Sequence, residues 1–274
     1  MPFIKIAEYR TEDFVMNHIY NDDSADFTLH SHDVWEMIFL KKGSISYIVE
    51  GKDYRLSKNC LFLSRPSEMH AIKFHDKREY ERYNVLFDEK GLSSDICSLI
   101  PPETCVINFD GNTLIADIFK KMDYYCQHFE GHILKNVLSH LTEEALYNVL
   151  VAARDLHQEN IYTVNPTINK ALVLIETHLT ESLSIDSICE ELFITKSHLH
   201  HLFVKYLGTS PKRYIMSKRL LLAQRELRAG RKPTDVCLNC GFSDYSTFFR
   251  DYKKCFGHAP SEEITAKIIR TIQS

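Results

Sequence analysis

The chain has 274 residues, 44% hydrophobic and 26% charged, which is a globular composition sufficient for one or two domains. No run of about 18 consecutive apolar residues occurs, and the start Met1-Pro2-Phe3-Ile4-Lys5 is no signal peptide, so a membrane partner is excluded and a cytoplasmic location is expected. The eight cysteines show no disulfide-framework spacing, which agrees with a reducing compartment, and the net charge of −4 hides an asymmetry between the two halves.

Residues 1–110 read as short strands. Phe27-Thr28-Leu29-His30-Ser31-His32 and Ile45-Ser46-Tyr47-Ile48-Val49 alternate, and Cys60-Leu61-Phe62-Leu63 is a short apolar run. Turn signals at Lys42-Gly43-Ser44, Glu50-Gly51-Lys52-Asp53 and Arg65-Pro66-Ser67 separate them, which predicts a β-sandwich or barrel. Two helices follow, Asn112 to Phe129 and Ile133 to His157, broken at Gly131. Leu114, Ile115, Ile118, Phe119, Met122 and Tyr125 line one side of the first. Leu134, Val137, Leu138, Leu141, Leu146, Val149, Leu150 and Ala153 run along the second. That stripe must be covered by the barrel or by a two-fold dimer seam, and the two uses are compatible. The polar stretch from His157 to Thr167 reads as a linker, because Asn165-Pro166 disfavours helix at the junction.

The remaining chain begins with a helix through Ala171, Leu172, Ile175 and Leu179, and then repeats one pattern. Ser184 caps a short segment carrying Ile185, Ile188, Cys189 and Leu192. After a tight turn, Thr195 caps a helix ending near Gly208. Leu199, Leu202, Phe203 and Tyr206 form its apolar face, with Ser197, His200, His201 and Val204 opposite and Lys205 beside them. The second copy has Val236, Cys237 and Cys240 in a segment starting near Pro233, then a helix capped by Ser243. In that helix Tyr245, Phe248, Phe249, Tyr252 and Phe256 share one face, Ser246, Thr247, Arg250 and Lys254 the other, and Gly257 and Pro260 stop it. Cys237-x-x-Cys240 lies inside this unit with no second pair following, so it reads as packing and not as a metal or redox pair. A continuous helix from Pro211 to Ala229, about 27 Å long at 1.5 Å per residue, separates the units. Such a rod can set two reading helices into successive major-groove segments, one DNA turn being about 34 Å.

Charge supports this reading. Residues Pro166–Ser274 hold 16 Lys+Arg against 11 Asp+Glu, and Thr195–Lys254 alone hold 13 against 4, whereas the first 165 residues hold 17 against 26. A basic block beside an acidic partner points to double-stranded DNA at one end only.

Residues 166–261 resemble the tandem helix-turn-helix domain of AraC/XylS-type bacterial transcription regulators. The resemblance is carried by Leu199-x-x-Leu202-Phe203, Gly208-Thr209-Ser210-Pro211, Arg219-Leu220-x-x-Ala223, Gly241-Phe242, Phe248-x-Arg250 and Gly257-x-x-Pro260-Ser261. Cys237, Pro233 and Glu263-Ile264 depart from the pattern, the last making its corner more acidic. Carried over by position, the resemblance implies base contacts from Ser197, His200 and His201 and from Ser246, Thr247 and Arg250. It places Lys205, Lys212, Arg213, Lys253 and Lys254 on phosphates. The N-terminal order of features resembles the small cupin-like jelly roll of many such regulators. His30-x-His32-x-x-x-Glu36-x6-Gly43 fits the first cupin motif and Pro66-x-x-x-His70 loosely fits the second.

His30 and His32, two apart on a strand, point to one face, and Glu36 and His70 complete a set of three imidazoles and a carboxylate. The set suits pocket lining for an effector, structural hydrogen bonding, or a divalent transition metal, the one candidate cofactor. Tyr47, Arg55 and Arg65 are further effector-binding candidates, suited to a sugar or a carboxylate, and the lone Trp35 is either pocket or core. The predicted fold is an α+β multidomain chain. It comprises a cupin-like β jelly-roll effector domain (1–110), a helix pair for dimerisation (111–157), a linker (158–167) and an all-α tandem helix-turn-helix DNA-binding domain (168–274). The expected function is a non-enzymatic, sequence-specific transcription regulator and activator of the AraC family, controlled by a small-molecule effector such as a sugar or other metabolite. A homodimer is expected, with RNA polymerase as a candidate further partner. Two rivals stay open: a ligand-independent regulator whose barrel only mediates contacts, and a metal-dependent cupin enzyme fused to a DNA-binding module.

Overall fold

The computed structural model describes residues 4–21, 27–74, 79–155, 162–163, 165–265 and 271–273. Its N-terminal half contains β1 (Ile4–Arg10), β2 (Phe14–Asn21), β3 (Phe27–His32), β4 (Trp35–Lys42), β5 (Ile45–Val49) and β6 (Lys52–Leu56). It continues with β7 (Cys60–Ser64), β8 (His70–Phe74), β9 (Tyr80–Phe87), α1 (Ile96–Leu99), β10 (Val106–Asn108), α2 (Leu114–Cys126) and α3 (Gly131–Asp155). Then come β11 (Tyr162–Thr163), α4 (Pro166–Thr177), α5 (Ile185–Glu191), α6 (Lys196–Leu207), α7 (Pro211–Arg228), α8 (Pro233–Asn239), α9 (Tyr245–Phe256) and β12 (Thr271–Gln273).

The strands form two six-stranded sheets, in the orders β1-β2-β9-β4-β7-β10 and β11-β6-β5-β8-β3-β12. Strand alternation decides what each face meets. Along β4, Trp35, Met37 and Phe39 point outward and share a core with Phe119 of α2 and Leu138 of α3, while Ile38 and Leu40 point into the sandwich against Tyr47 and Ile72. Both faces of β4 are therefore covered, which is why Trp35–Leu40 is buried throughout.

The second sheet is also covered on both faces. Its outer residues Leu29, Ile48, Met69 and Ala71 join one core with Ile168, Ala171, Leu172 and Ile175 of α4. Fully burying one such aliphatic side chain contributes roughly 1.5–3 kcal/mol, so the C-terminal half is docked on the sheet. Gly51 lets the chains approach this closely. It sits at φ +77 in the β5–β6 turn after Glu50 at φ 44, the left-handed pair of a tight hairpin, and a Cβ there would run into Leu172 Cδ1.

Several expectations shift by a turn or a face. The first helix of the pair runs Leu114–Cys126, shorter than Asn112–Phe129, and Leu114 is 61% exposed because it begins the helix instead of extending its buried stripe. The second starts at Gly131, two residues early, and buries Leu134, Leu138, Leu146 and Val149 against α2 and the first sheet. Asp244, not Ser243, caps α9, accepting from Thr247 N at 2.7 Å. Tyr245 and Phe249 turn outward, leaving Phe248, Tyr252 and Phe256 as the buried root. Leu179 is buried but lies beyond the end of α4. Of the stretch expected as a linker, Tyr162–Thr163 pairs with β6 and Asn165 caps α4; residues 158–161 and 164 lie outside the described residues. The second sheet also takes in Thr271–Gln273, paired with His32–His30 of β3.

Candidate effector pocket and DNA-reading surface

His30 and His70 are direct cross-strand partners on β3 and β8, so their rings meet with centroids 4.4 Å apart. His32, two residues along the same face, has its ring 5.3 Å from that of His70 and 5.1 Å from that of His30. Glu36 reaches them from β4 across the sandwich. Its Oε2 lies 2.8 Å from His70 Nε2 and its Oε1 3.4 Å from His32 Nε2. All four residues can offer ligand atoms within 4.8 Å of one another. His32, Glu36 and His70 are buried and His30 is half-buried, so the cluster is most accessible at His30.

Surrounding groups fix this geometry. His70 Nδ1 lies 3.0 Å from the Glu68 carbonyl, which leaves Nε2 directed at Glu36. Asn84 of β9 donates to Glu36 Oε1 at 2.9 Å. Tyr47 stacks on Phe62 at 4.7 Å, lies 5.9 Å from the His70 ring, and shares a hydrogen bond with Ser64. Burial alone would raise the Glu36 carboxyl, but the His32 and His70 imidazoles outweigh it and hold the group well below the ordinary carboxylate range. Burial alone would lower His70, and the contact with Glu36 raises it instead. A set of three imidazoles and one carboxylate is chemically suited to a first-row divalent ion or to hydrogen-bonding a small polar ligand.

Arg55 and Arg65 stand apart from this group. Arg55 is exposed on β6, where the inward position is taken by Tyr54. The Arg65 guanidinium donates to the Pro101 carbonyl at 2.5 Å and the Thr104 carbonyl at 3.3 Å, and it lies 5.4 Å above Trp35. It braces that loop. Trp35 itself is core, stacked on Phe87. Asn84 and Ser64 had no signal in the sequence, because only pairing of β9 and β7 with β4 brings them beside Glu36.

In the C-terminal half, α6 is capped as its sequence demands, whereas α9 takes Asp244 as its cap. Thr195 accepts from His198 N at 3.2 Å and Gly208 closes α6 at φ +71. Ser197, His200, His201 and Lys205 are exposed along α6, and Lys212 and Arg213 are exposed at the start of α7. On α9, Ser246, Arg250, Lys253 and Lys254 are exposed and Thr247 is half-buried. The Arg250 side chain is 71% exposed and makes a weak 3.4 Å contact to Asp251, so it remains available to a partner. Tyr245 and Phe249, 41% and 37% exposed beside Arg250, are apolar additions to this surface that helical periodicity had assigned to the core. Cys237 and Cys240 are buried free thiols; burial pushes Cys237 up and Cys240 to about 11, so both stay protonated and serve packing.

Glu263 corrects the expected acidic corner. It is buried and accepts from Arg228 Nε at 2.7 Å, Gln224 Nε2 at 3.1 Å and the Tyr252 hydroxyl, with His258 Nε2 at 3.1 Å. Arg228 also reaches Asp33, the residue after His32, at 2.6 Å. A second tie runs from Glu50 of the β5–β6 turn to the Tyr214 hydroxyl at 2.8 Å and Lys218 Nζ at 3.0 Å.

The family model described as an AraC-like ligand binding domain matches residues 17–95, and one described as a helix-turn-helix domain matches 188–265. The chain belongs to the AraC family of transcription regulators. This AraC-family regulator is thus a DNA-binding protein with a ligand-binding N-terminal domain. It is similar to the HTH-type transcriptional activator RhaS of Escherichia coli O139:H28 (strain E24377A / ETEC), 23% identical over 252 residues covering 87% of each chain. Among solved structures, it matches an AraC-type transcriptional regulator from Chromobacterium violaceum (32% identity, 37% of this chain and 92% of that one, TM-score 0.35). It also matches unsaturated fatty acid bound ToxT from Vibrio cholerae strain SCE256 (16% identity, 93% and 96% coverage, TM-score 0.36). No helix among the described residues is long and apolar enough to cross a membrane.

Proposed function

We propose that this regulator is a cytoplasmic, non-enzymatic activator whose DNA affinity is set by a small-molecule effector in the pocket of His30, His32, Glu36, Tyr47 and His70. One observation carries the reading. Strands β3, β5 and β8 present His30, His32, Tyr47 and His70 on their pocket side and Leu29, Ile48 and Ala71 to α4 on the other. A ligand that changes strand spacing or twist therefore moves the bed on which the DNA-binding half rests. Ser197, His200, His201, Ser246, Thr247 and Arg250 read base edges, and Lys205, Lys212, Arg213, Lys253 and Lys254 hold phosphates. The relation to an activator supports activation through RNA polymerase. The exposed groove lined by Tyr125 of α2, Phe129 of the connection, and Ile133 and Val137 of α3 supports a homodimer seam.

The test pairs a thermal-shift screen of sugars, amino acids and other metabolites on the full chain with gel-shift titration on a promoter fragment. An effector raises Tm by mass action and changes DNA affinity by ~5–150-fold. A ligand that stabilises the chain while leaving DNA affinity unchanged removes the effector role.

A further inference from the structure

We propose that Tyr245 and Phe249 make α9 a reader of thymine, their rings packing on the C5-methyl groups that A·T pairs present in the major groove. This rests on α9 being a base-contacting helix and adds the base that it selects. Tyr245 and Phe249 lie one turn apart on α9, 41% and 37% exposed, with ring centroids 6.3 Å from each other. Ser246 and Arg250 form the adjoining exposed row, and Lys253 continues the row of Phe249 by one more turn. Phe248, Tyr252 and Phe256 already root the helix in the core. The pair is therefore an apolar edge set within a polar and cationic stripe.

The first head supplies an internal comparison. Helices α6 and α9 each have 12 residues, each starts from a side-chain cap, Thr195 or Asp244, and each ends at a left-handed glycine, Gly208 or Gly257. Aligned cap on cap, Leu199 and Phe203 stand where α9 has Phe248 and Tyr252, and all four are buried. Tyr245 then takes the place of Lys196 and Phe249 that of His200, and both of those α6 residues are exposed. Places that hold an exposed lysine and histidine in one head are outward places of the shared framework. The rings of α9 are thus presented to a partner by the fold itself. Apolar area in water is favourably covered by an apolar group, while Arg250, Lys253 and Lys254 around it suit a polyanion. On base edges in the major groove that apolar group is the thymine C5-methyl. With a histidine in the matching place, α6 reads by hydrogen bonds instead, so the two heads differ in the bases that they select.

The test uses the full chain and a duplex that this chain enriches from random sequence. Single thymines are exchanged for deoxyuridine, which removes the C5-methyl and nothing else, and gel-shift titration reads Kd. Exchange beside the base pair at which Arg250→Ala relaxes preference should weaken wild-type binding about fourfold per methyl. Phe249→Ala and Tyr245→Ala should narrow that gap, and the double variant should bind thymine and deoxyuridine duplexes alike. Arg250→Ala should lose affinity for both duplexes and keep the gap between them. Phe249→His, after the α6 counterpart, serves where Phe249→Ala fails to fold, and circular dichroism checks each variant. Equal binding of every deoxyuridine duplex by wild type overturns the assignment. So does full thymine discrimination by the folded double variant. Unchanged DNA binding by that variant with reduced transcription in vitro gives the rings to a protein partner and also overturns it. Two further variants keep the readings apart. Affinity lost in Arg250→Ala and Lys253→Ala without any thymine preference leaves α9 on DNA and removes the methyl contact. Affinity unchanged in both removes α9 from DNA, and thymine reading with it.

Discussion

Arg228, the last residue of α7, places Nη2 2.6 Å from Asp33 Oδ2, so the DNA-binding half is tied to the residue that follows His32 of the pocket. The same guanidinium donates through Nε to Glu263 Oε1 at 2.7 Å, and Glu263 accepts the Tyr252 hydroxyl at the root of α9. A continuous polar path therefore leads from the end of β3 to α9. Asp33→Asn should lower stability by only about 1 kcal/mol, because the Arg228 side chain is 36% exposed and solvent screens the pair. It should also lessen the change in DNA affinity that the pocket ligand produces. Gel-shift titration with and without ligand measures that coupling, and an unchanged ligand response would place it elsewhere.

Glu263→Gln should do more damage. Gln substitutes an N–H2 for one acceptor oxygen in a buried site that receives Arg228, Gln224 and Tyr252. A loss of about 2 kcal/mol is expected, the range for hydrogen bonds to a charged group, read by denaturant unfolding. DNA affinity should fall with it, because Tyr252 anchors the helix that carries Arg250.

Gly51→Ala should destabilise by roughly 1–3 kcal/mol, through overpacking against Leu172 and a disfavoured positive φ. Equilibrium unfolding of the full chain checks this. Gly111→Ala supplies the comparison, since it shares a positive φ but has open space around the new Cβ.

His18 gives a pH dependence of definite sign. Burial would lower its pKa, but hydrogen bonds to Asp123 at 3.1 Å and Glu81 at 2.9 Å overcome this and raise it. A raised folded-state value means the contribution is fully present below the unfolded value of about 6.5 and disappears as pH rises through the higher folded value. The stability difference between wild type and His18→Gln should therefore be larger at pH 6 than at pH 8.5. Thermal unfolding at both pH values decides it, and a constant difference would show that the imidazole stays neutral.

Arg250→Ala should cost about 1–3 kcal/mol of specific DNA affinity and relax base preference at one position. Lys253→Ala should weaken binding across sequences and reduce the salt slope by about 1. Salt titrations on matched and scrambled fragments separate the two.

Much of this protein is local and therefore legible in the chain. Ser184, Thr195 and Gly257 announce helix ends because caps satisfy backbone groups within three or four residues. His30 and His32 share a face because strand side chains alternate. Period alone could not separate a half-exposed aromatic from a buried one, so Tyr245 and Phe249 were placed with the core. The sequence by itself determined two capped helices on a rod, a basic half joined to an acidic one, and a strand-borne pair of histidines. Tertiary structure decided which arginines attend the pocket, since Arg55 faces solvent and Arg65 braces a loop. It also turned Glu263 from a surface charge into a buried hub and set α4 against the back of the pocket sheet. The reason is physical: caps and alternation act within a few residues, whereas the Glu36–His70 and Asp33–Arg228 contacts join chain segments that only packing of apolar faces brings together.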